Sequence, residues 1–494
     1  MTVALRGQSD GSLVRVIAER DSGNEIDVDL SRQVGVIHAD LRVGANVAAA
    51  RALRANLGLS CPGLKLHGAG FIVTPAVAEQ LGLGRTPGLE RYIRPYRNGR
   101  DLTRFPRGVL VIDLYGLDAG EVLGRYPAVY QHLLDHVKPE RDAKSHSKDG
   151  AAYAKTWWLH GKTRSSFRPA LNGLPRYIAT VETAKHRVFQ FLGVDVAPDN
   201  KLIVIAIGDS ACLGVLSSVL HVSWALASGS WLGVGNDPVY VKTRCFECFP
   251  FPVSTEESEK RIRALGEQLD THRKRQQAAH PELTLTGMYN VLEKLRSGEP
   301  LTMEERVIHE QGLVSVLRQI HDELDAAVLD AYGWSDLLPL LRVAHGNDAP
   351  AEGQTREDAK RAFDEAVLER LVALNAERAA EEARGLVRWL RPDFQNPQSA
   401  PRQAEIETVD DVPETDDVPV VATPAAKPQP WPKDAVAQVR AVADVLSASA
   451  APLSIDDIAA RFTARGPWKK RLPQLLDMLV AMGRAREVDG RYQG

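Results

Sequence analysis

Residues 232–252, LGVGNDPVYVKTRCFECFPFP, hold three patterns that could do chemistry. Cys245 and Cys248 have metal-ligand spacing, but structural zinc normally takes four ligands. The remaining cysteines, Cys61 and Cys212, form no second pair, and His221 and His272 show no partnered spacing. Thioredoxin-like redox chemistry would require a preceding βαβ unit, which the pattern lacks. Asn236-Asp237-Pro238-Val239-Tyr240 approaches an Asp/Asn/Ser-Pro-Pro-aromatic tetrapeptide. There the polar side chain and prolyl carbonyl accept the amino hydrogens of a flipped base, and the aromatic ring stacks on it. Here one proline is misplaced and one residue is added, so the two acceptors would not converge on one amine. Gly233-x-Gly235 has no helix after it, and Gly68-Ala69-Gly70 runs into the strand-like FIVT. Neither is a phosphate-cradling loop at a helix N-terminus. His132 and His136 share a helix face, but Leu133 stands where a metalloprotease motif has glutamate. No catalytic residue, no cofactor-binding residue and no metal ligand is therefore expected in this chain.

The elements around these patterns suggest a multidomain α+β chain. Its 494 residues exceed what one core organises, and 44% hydrophobic with 25% charged residues is ordinary globular composition. MTVALRG and SLVRVIAER are β-rich runs joined by a Gly/Ser/Asp turn, which predicts a hairpin over residues 1–30. A lone hairpin is marginal in water, so these strands are expected to complete a sheet elsewhere. Residues 31–88 read as a connecting arm punctuated by proline and glycine. Residues 89–255 mix strand-like runs (VLVIDLYGL, RYIATVET, KLIVIAIG) with the helix-like GVLSSVLHVSWALAS. Residues 256–392 are helical, with stripes Ile262/Leu265/Leu269, Leu317/Ile320/Leu324/Val328 and Phe363/Val367/Leu371/Leu374 expected to pack a core. Residues 393–430, rich in proline and acid, read as a disordered linker. Residues 431–494 predict three short helices and a strand–turn–strand with Asp489-Gly490 at its turn, a winged-helix-like module. No apolar run reaches the roughly 18 residues of a membrane span. Scattered cysteines and the absence of an apolar signal region suggest the cytoplasm, with no membrane partner.

Charge is uneven. The chain has net charge −3, yet residues 90–190 hold 18 Lys/Arg against 10 Asp/Glu, a local excess of 18 − 10 = 8. Arginines alternate with Tyr92, Tyr96 and Phe105 in RYIRPYRNGRDLTRFPRG, and KTWWLHGKTRSSFRP contains Trp157 and Trp158. Cations that neutralise phosphates beside aromatic faces that stack on bases favour nucleic acid as a partner.

Several blocks then carry a resemblance: KLHGAGFIVTP, IRPYRNGRDLTRFPRG, RYPAVYQHLLDHVKPERD, LPRYIATVETAKHRVF, GVLSSVLHVSWALASG, GNDPVYVKTRCFECFPFP and LTLTGMYNVLEKLRSGEPLT. In this order they resemble class I S-adenosylmethionine-dependent DNA adenine-N6 methyltransferases of the large Type IIG/IIL restriction–modification and phage-defence kind. The likeness covers residues 1 to about 392 and falls downstream of that family's catalytic motifs. It implies that 1–30 belong to a methyltransferase-type sheet and that 89–255 form a DNA target-recognition domain. The donor loop and catalytic tetrapeptide would lie upstream of the matched blocks, so S-adenosylmethionine is expected in a partner chain, a methyltransferase catalytic subunit. The function implied is the specificity half of a split or truncated methyltransferase on double-stranded DNA. A stand-alone DNA-binding protein and a C-terminal fragment of a full enzyme are the rivals. DNA contact is implied for Arg94, Arg97, Arg100, Arg104, Arg107, Lys155, Lys162, Arg164, Arg168, Arg176, Lys185, Arg187, Lys242 and Arg244. If the last module binds DNA, Lys469, Lys470 and Arg471 at the start of its third helix would meet phosphates.

Overall fold

The computed structural model describes residues 11–21, 26–37, 43–232, 237–397, 429–432, 434–447, 453–459, 461–463, 472–481, 485–488 and 491–493. The chain divides into two units, Met1–Arg402 and Gln403–Gly494.

In the first unit, Gly11–Asp21 pairs antiparallel with Ile26–Gly35. The expected partner run MTVALRG lies in residues 1–10, outside the described residues, and SLVRVIAER is paired here with the run that follows it. One of its faces carries Val14, Val16, Leu30 and Val34, each at least half exposed.

Two four-stranded sheets follow. The first has the order Ser60–Pro62, Leu202–Ile205, Arg176–Val181, Phe189–Gly193, antiparallel throughout. The second has the order Ile72–Val73, Leu110–Ile112, Ile93–Arg97, Ala197–Pro198, with its last pair parallel. The segment read as a connecting arm is therefore structural. It supplies a strand to each sheet and buries Leu59, Leu64 and Phe71.

The helical region packs as its apolar spacing predicts. Ile262, Leu265, Leu269, Leu317, Ile320, Leu324, Phe363, Val367 and Leu371 join one core around Trp224. The third stripe closes differently, because Leu374 is only half-buried and polar Asn375 takes the inward position. Asn375 Oδ1 accepts from Arg51 N (2.9 Å) and its Nδ2 donates to Arg51 O (2.8 Å) and Cys248 O (2.7 Å), so three segments are tied by one amide. The apolar stretch at 210–228 is two helices, Ser210–Ser217 and Val219–Ser228, bent by 62° at Ser218. Asp325 supports the break by accepting from Val219 N (2.7 Å). Gly266 lets the helix Glu256–Ala279 approach closely: a Cβ there would lie 2.2 Å from Ser210 O. Among the described residues no single helix is long and apolar enough to cross a membrane. Residues 392–395, expected at the edge of a linker, form a short helix whose Gln395 Nε2 donates to Ala55 O (2.9 Å). The rest of that linker, 398–428, lies outside the described residues.

In the second unit, helices Ala435–Ser447, Ile455–Ala459 and Leu472–Ala481 enclose Val442, Leu446, Ile458, Leu476 and Leu479. Arg486–Val488 pairs antiparallel with Arg491–Gln493, and Gln429–Pro430 pairs parallel with Phe462–Thr463. Lys469, Lys470 and Arg471 fall outside the described residues.

Candidate nucleic-acid interface

Strand register decides which cations meet. Val181 pairs with Leu202, whereas Arg176 pairs with Gly193 at the opposite end of the same strand. Gly63 N donates to Leu202 O (2.9 Å) and Leu64 N to Pro198 O (2.8 Å), which brings the chain leaving Ser60–Pro62 to the Val181 end. Arg97 pairs with Pro198, and Asp199 N donates to Arg97 O (2.8 Å). Lys162 pairs with Lys65 through reciprocal backbone hydrogen bonds. A Cβ on Gly99 would lie 3.0 Å from Val181, so the loop from Asn98 to Arg107 packs on the same end. Tyr240 N donates to Glu182 O (2.7 Å), and a bridge between Thr183 and Val239 seats the hairpin Ser230–Leu232/Asp237–Val239 there too. One end of the sheet thus gathers Lys65, Arg97, Arg100, Arg104, Lys162, Lys185 and Lys201 into a cationic rim.

Two acids organise the loop and flank of this rim. Asp101 accepts from Asn98 N (2.9 Å) and Arg107 N (3.0 Å), and Arg107 grips it with Nε (2.8 Å) and Nη2 (2.7 Å). Burial alone would raise the Asp101 carboxyl, but these donors hold it below its usual range. The loop is thereby fixed while Arg100, Arg104 and Phe105 stay exposed. Lys201 pairs with Glu182 (2.7 Å), and Lys185 donates to Asn290 Oδ1 (2.7 Å). Side chains of Arg100, Arg104 and Lys162 are exposed and have no protein acceptor among the described residues. Arg97 is half-buried and donates to Tyr96 O (3.2 Å).

Other expected contact residues sit elsewhere or are engaged within the protein. The Arg187 guanidinium is enclosed, donating to Thr180 Oγ1 (3.2 Å), Val181 O and Pro238 O (3.3 Å), with its carbon 5.1 Å from the Tyr240 ring centre. It is a strut beneath the 230–239 hairpin, and no phosphate reaches it in this arrangement. Arg176, at the far strand end, holds Glu267 with two hydrogen bonds (2.9 and 2.7 Å) and lies over Phe191. Lys242 pairs with Glu247, and Arg244 is exposed on the short helix Lys242–Cys245. Lys155 is exposed at the end of the helix Lys148–Lys155, with no register contact tying it to the rim. Of the aromatics expected to stack on bases, Trp157 and Tyr96 are buried, Trp158 donates to Leu117 O (2.9 Å), and Tyr96 donates to Asp199. Phe105 remains 54% exposed, and Trp231 adds a second exposed ring at this end. Sequence reading missed Lys65, Lys201 and Trp231, because only strand pairing brings them to the rim.

Asp113 anchors a second set of cations. Both of its oxygens accept from Arg168 Nη2 (2.8 Å), and Arg94 Nη1 lies 3.6 Å away. Burial would raise this carboxyl; the charges facing it hold it below the usual range. His160, 3.7 Å away, is itself pushed down by burial, so the arginines supply that pull near neutral pH. Asp113→Asn leaves two guanidiniums without their counter-charge, and the expected loss is about 3–5 kcal/mol. A carboxyl with a depressed folded pKa stabilises above its unfolded value and loses that contribution as pH falls through the folded value. Urea unfolding of wild type and variant should therefore differ by a constant amount above about pH 5 and draw together progressively as pH falls below about 4. A difference that stays constant down through about pH 4 and below would contradict the pairing.

The Cys-x-x-Cys thiols are packed. Cys245 Sγ lies 3.6 Å from Ala225 O, Cys248 Sγ lies 3.2 Å from Thr243 O, and burial pushes Cys248 up to about 11. His132 meets Gly70 O (2.9 Å), which accounts for one imidazole of the His-x-x-x-His pattern. Among the described residues Asp322, Asp325 and His345 lie within ligating reach of one another. Arg296 already stands 3.1 Å from Asp322 and 4.0 Å from Asp325, and Arg318 stands 3.8 Å from Asp322, so two guanidiniums face the two carboxylates.

No protein-family model matches the chain, and neither does any curated protein. Among solved structures it is similar to the Type IIL restriction-modification enzyme MmeI, determined in complex with DNA, with TM-score 0.50 and 18% sequence identity. The similarity covers 72% of this chain and 40% of that one. The chain shares its fold with part of that enzyme. It spans about two fifths of that enzyme's length.

Proposed function

We propose that this chain selects the DNA site for adenine-N6 methylation in a restriction–modification or phage-defence system. The observation that carries the reading is the rim of exposed, unpartnered cations, Arg100, Arg104 and Lys162, fixed at one sheet end beside Phe105. Most such cations contact phosphates and set position, while base edges are read by fewer groups. The fold likeness to a restriction-modification enzyme determined with DNA supports duplex DNA as the partner. The methyl donor, S-adenosylmethionine, and the catalytic tetrapeptide belong to a methyltransferase catalytic domain that docks on the 11–35 hairpin. Support for that docking is the exposed face of Val14, Val16, Leu30 and Val34, which also carries Arg32 and Ser12, on a sheet of two strands. Such a sheet gains stability by joining a larger one. The test supplies duplex DNA and S-adenosylmethionine to the full chain with and without the co-expressed catalytic polypeptide. Methylated adenine at one sequence is expected only with both; equal methylation by this chain alone would contradict the division of labour.

A further inference from the structure

Beside the rim, Arg94, Arg164 and Arg168 line a cavity of about 40 Å³ walled by Gly63, Leu64 and Pro198. All three arginines are half-buried. One carboxylate faces them: Asp113, 2.8 Å from Arg168 and 3.6 Å from Arg94. Three guanidiniums against one carboxylate leave two positive charges in excess, and His160 adds none near neutral pH because burial keeps it neutral. Arg164 Nε donates to Gly63 O (2.8 Å), which fixes the side chain at the cavity wall. Its Nη1 and Nη2, and Nη1 of Arg168, have no protein acceptor among the described residues. Arg164 also holds φ at 57°, a region that residues with a Cβ rarely occupy. Such outliers gather at functional sites.

Partly desolvated excess charge favours a counter-ion, and guanidinium forks match phosphate oxygens. The cavity is far below the roughly 300–1,000 Å³ that encloses a drug-sized ligand, so it fits a single small group and no nucleobase. We propose that it is a phosphate-oxyanion site, filled in the DNA complex by one backbone phosphate. This rests on the DNA-binding reading above and adds one fixed phosphate position to it. Leu64 and Pro198 border both cavity and rim, so a strand lying along Lys65, Lys162 and Arg97 brings a phosphate to the cavity.

The test uses the full chain, Arg164→Gln and Arg164→Lys. Arg164 pairs with no carboxylate, so glutamine leaves the Asp113 network intact. In one arm, duplex affinity is measured between about 50 and 300 mM salt. Arg164→Gln is expected to weaken binding about fivefold near 0.15 M and to reduce the slope of log Kd on log salt by about 0.9, with Arg164→Lys restoring most of the slope. In the other arm, without DNA, inorganic phosphate is expected to raise the Tm of wild type and leave that of Arg164→Gln unmoved. An unchanged slope together with a lost phosphate effect makes this a site for free phosphate and overturns the backbone assignment. No change in either arm overturns the site. A wild-type chain that binds no duplex refutes the DNA reading, and the phosphate arm then decides the oxyanion site alone.

Discussion

Replacing Arg100, Arg104 and Lys162 together with glutamine is expected to weaken duplex binding about 100-fold near 0.15 M salt. Each phosphate contact releases about 0.9 counter-ion, so three lost contacts reduce the salt slope by about 2.7. The same stoichiometry is worth about 1 kcal/mol per contact at this salt, which yields the fold-change. All three side chains are exposed and unpartnered, so stability should move by no more than about 0.5 kcal/mol. Anisotropy titrations over a salt series check both numbers. An affinity loss with an unchanged slope would mean that these residues act through something other than phosphates.

The second large effect concerns the hairpin. Val14 is 50% exposed and Leu30 58% exposed, on one face of the pair Gly11–Asp21/Ile26–Gly35. Val14→Lys with Leu30→Lys adds two like charges to that face. In the isolated chain they stay in water and change little. Docked against an apolar sheet, each buried unpaired ammonium opposes association by several kcal/mol. Co-purification with the methyltransferase catalytic polypeptide should fall at least about 1,000-fold in affinity, while DNA binding by this chain is retained. Undiminished association would place the docking surface elsewhere.

Periodicity and run length were sufficient for the helical region, because Ile262, Leu265 and Leu269, or Leu317, Ile320 and Leu324, bury wherever helical spacing puts them. The strands at 110–112 and 202–205 were legible from run length, since their residues are apolar on both faces, and 176–181 from its β-rich run RYIATV. Short strands were not: Ser60–Pro62 and Ile72–Val73 carry too few residues for a period and exist because neighbours pair with them. The pairing of Gly11–Asp21 with Ile26–Gly35 was not read from the sequence, because several Gly/Ser/Asp clusters there look alike as turns. Within the site, sequence identified a basic segment but could not rank its members. Arg100 and Arg187 look alike on the page, yet one is exposed and the other is enclosed beneath Tyr240. Lys65 and Lys201 reach the rim only through pairing between distant strands. The apparent Asn-Asp-Pro-x-Tyr and Cys-x-x-Cys motifs resolve into packing where described. Tyr240 is fully enclosed beside His221, with their side chains 2.9 Å apart, and the thiols meet backbone carbonyls.

The most direct measurement is selection of bound sequences from a random duplex pool by the full chain. The predicted result is one enriched sequence containing an adenine, with the Arg100→Gln/Arg104→Gln/Lys162→Gln variant recovering the same sequence only at about 100-fold higher protein concentration. A flat pool, or recovery of duplex by wild type and variant at the same protein concentration, would contradict DNA recognition by this rim.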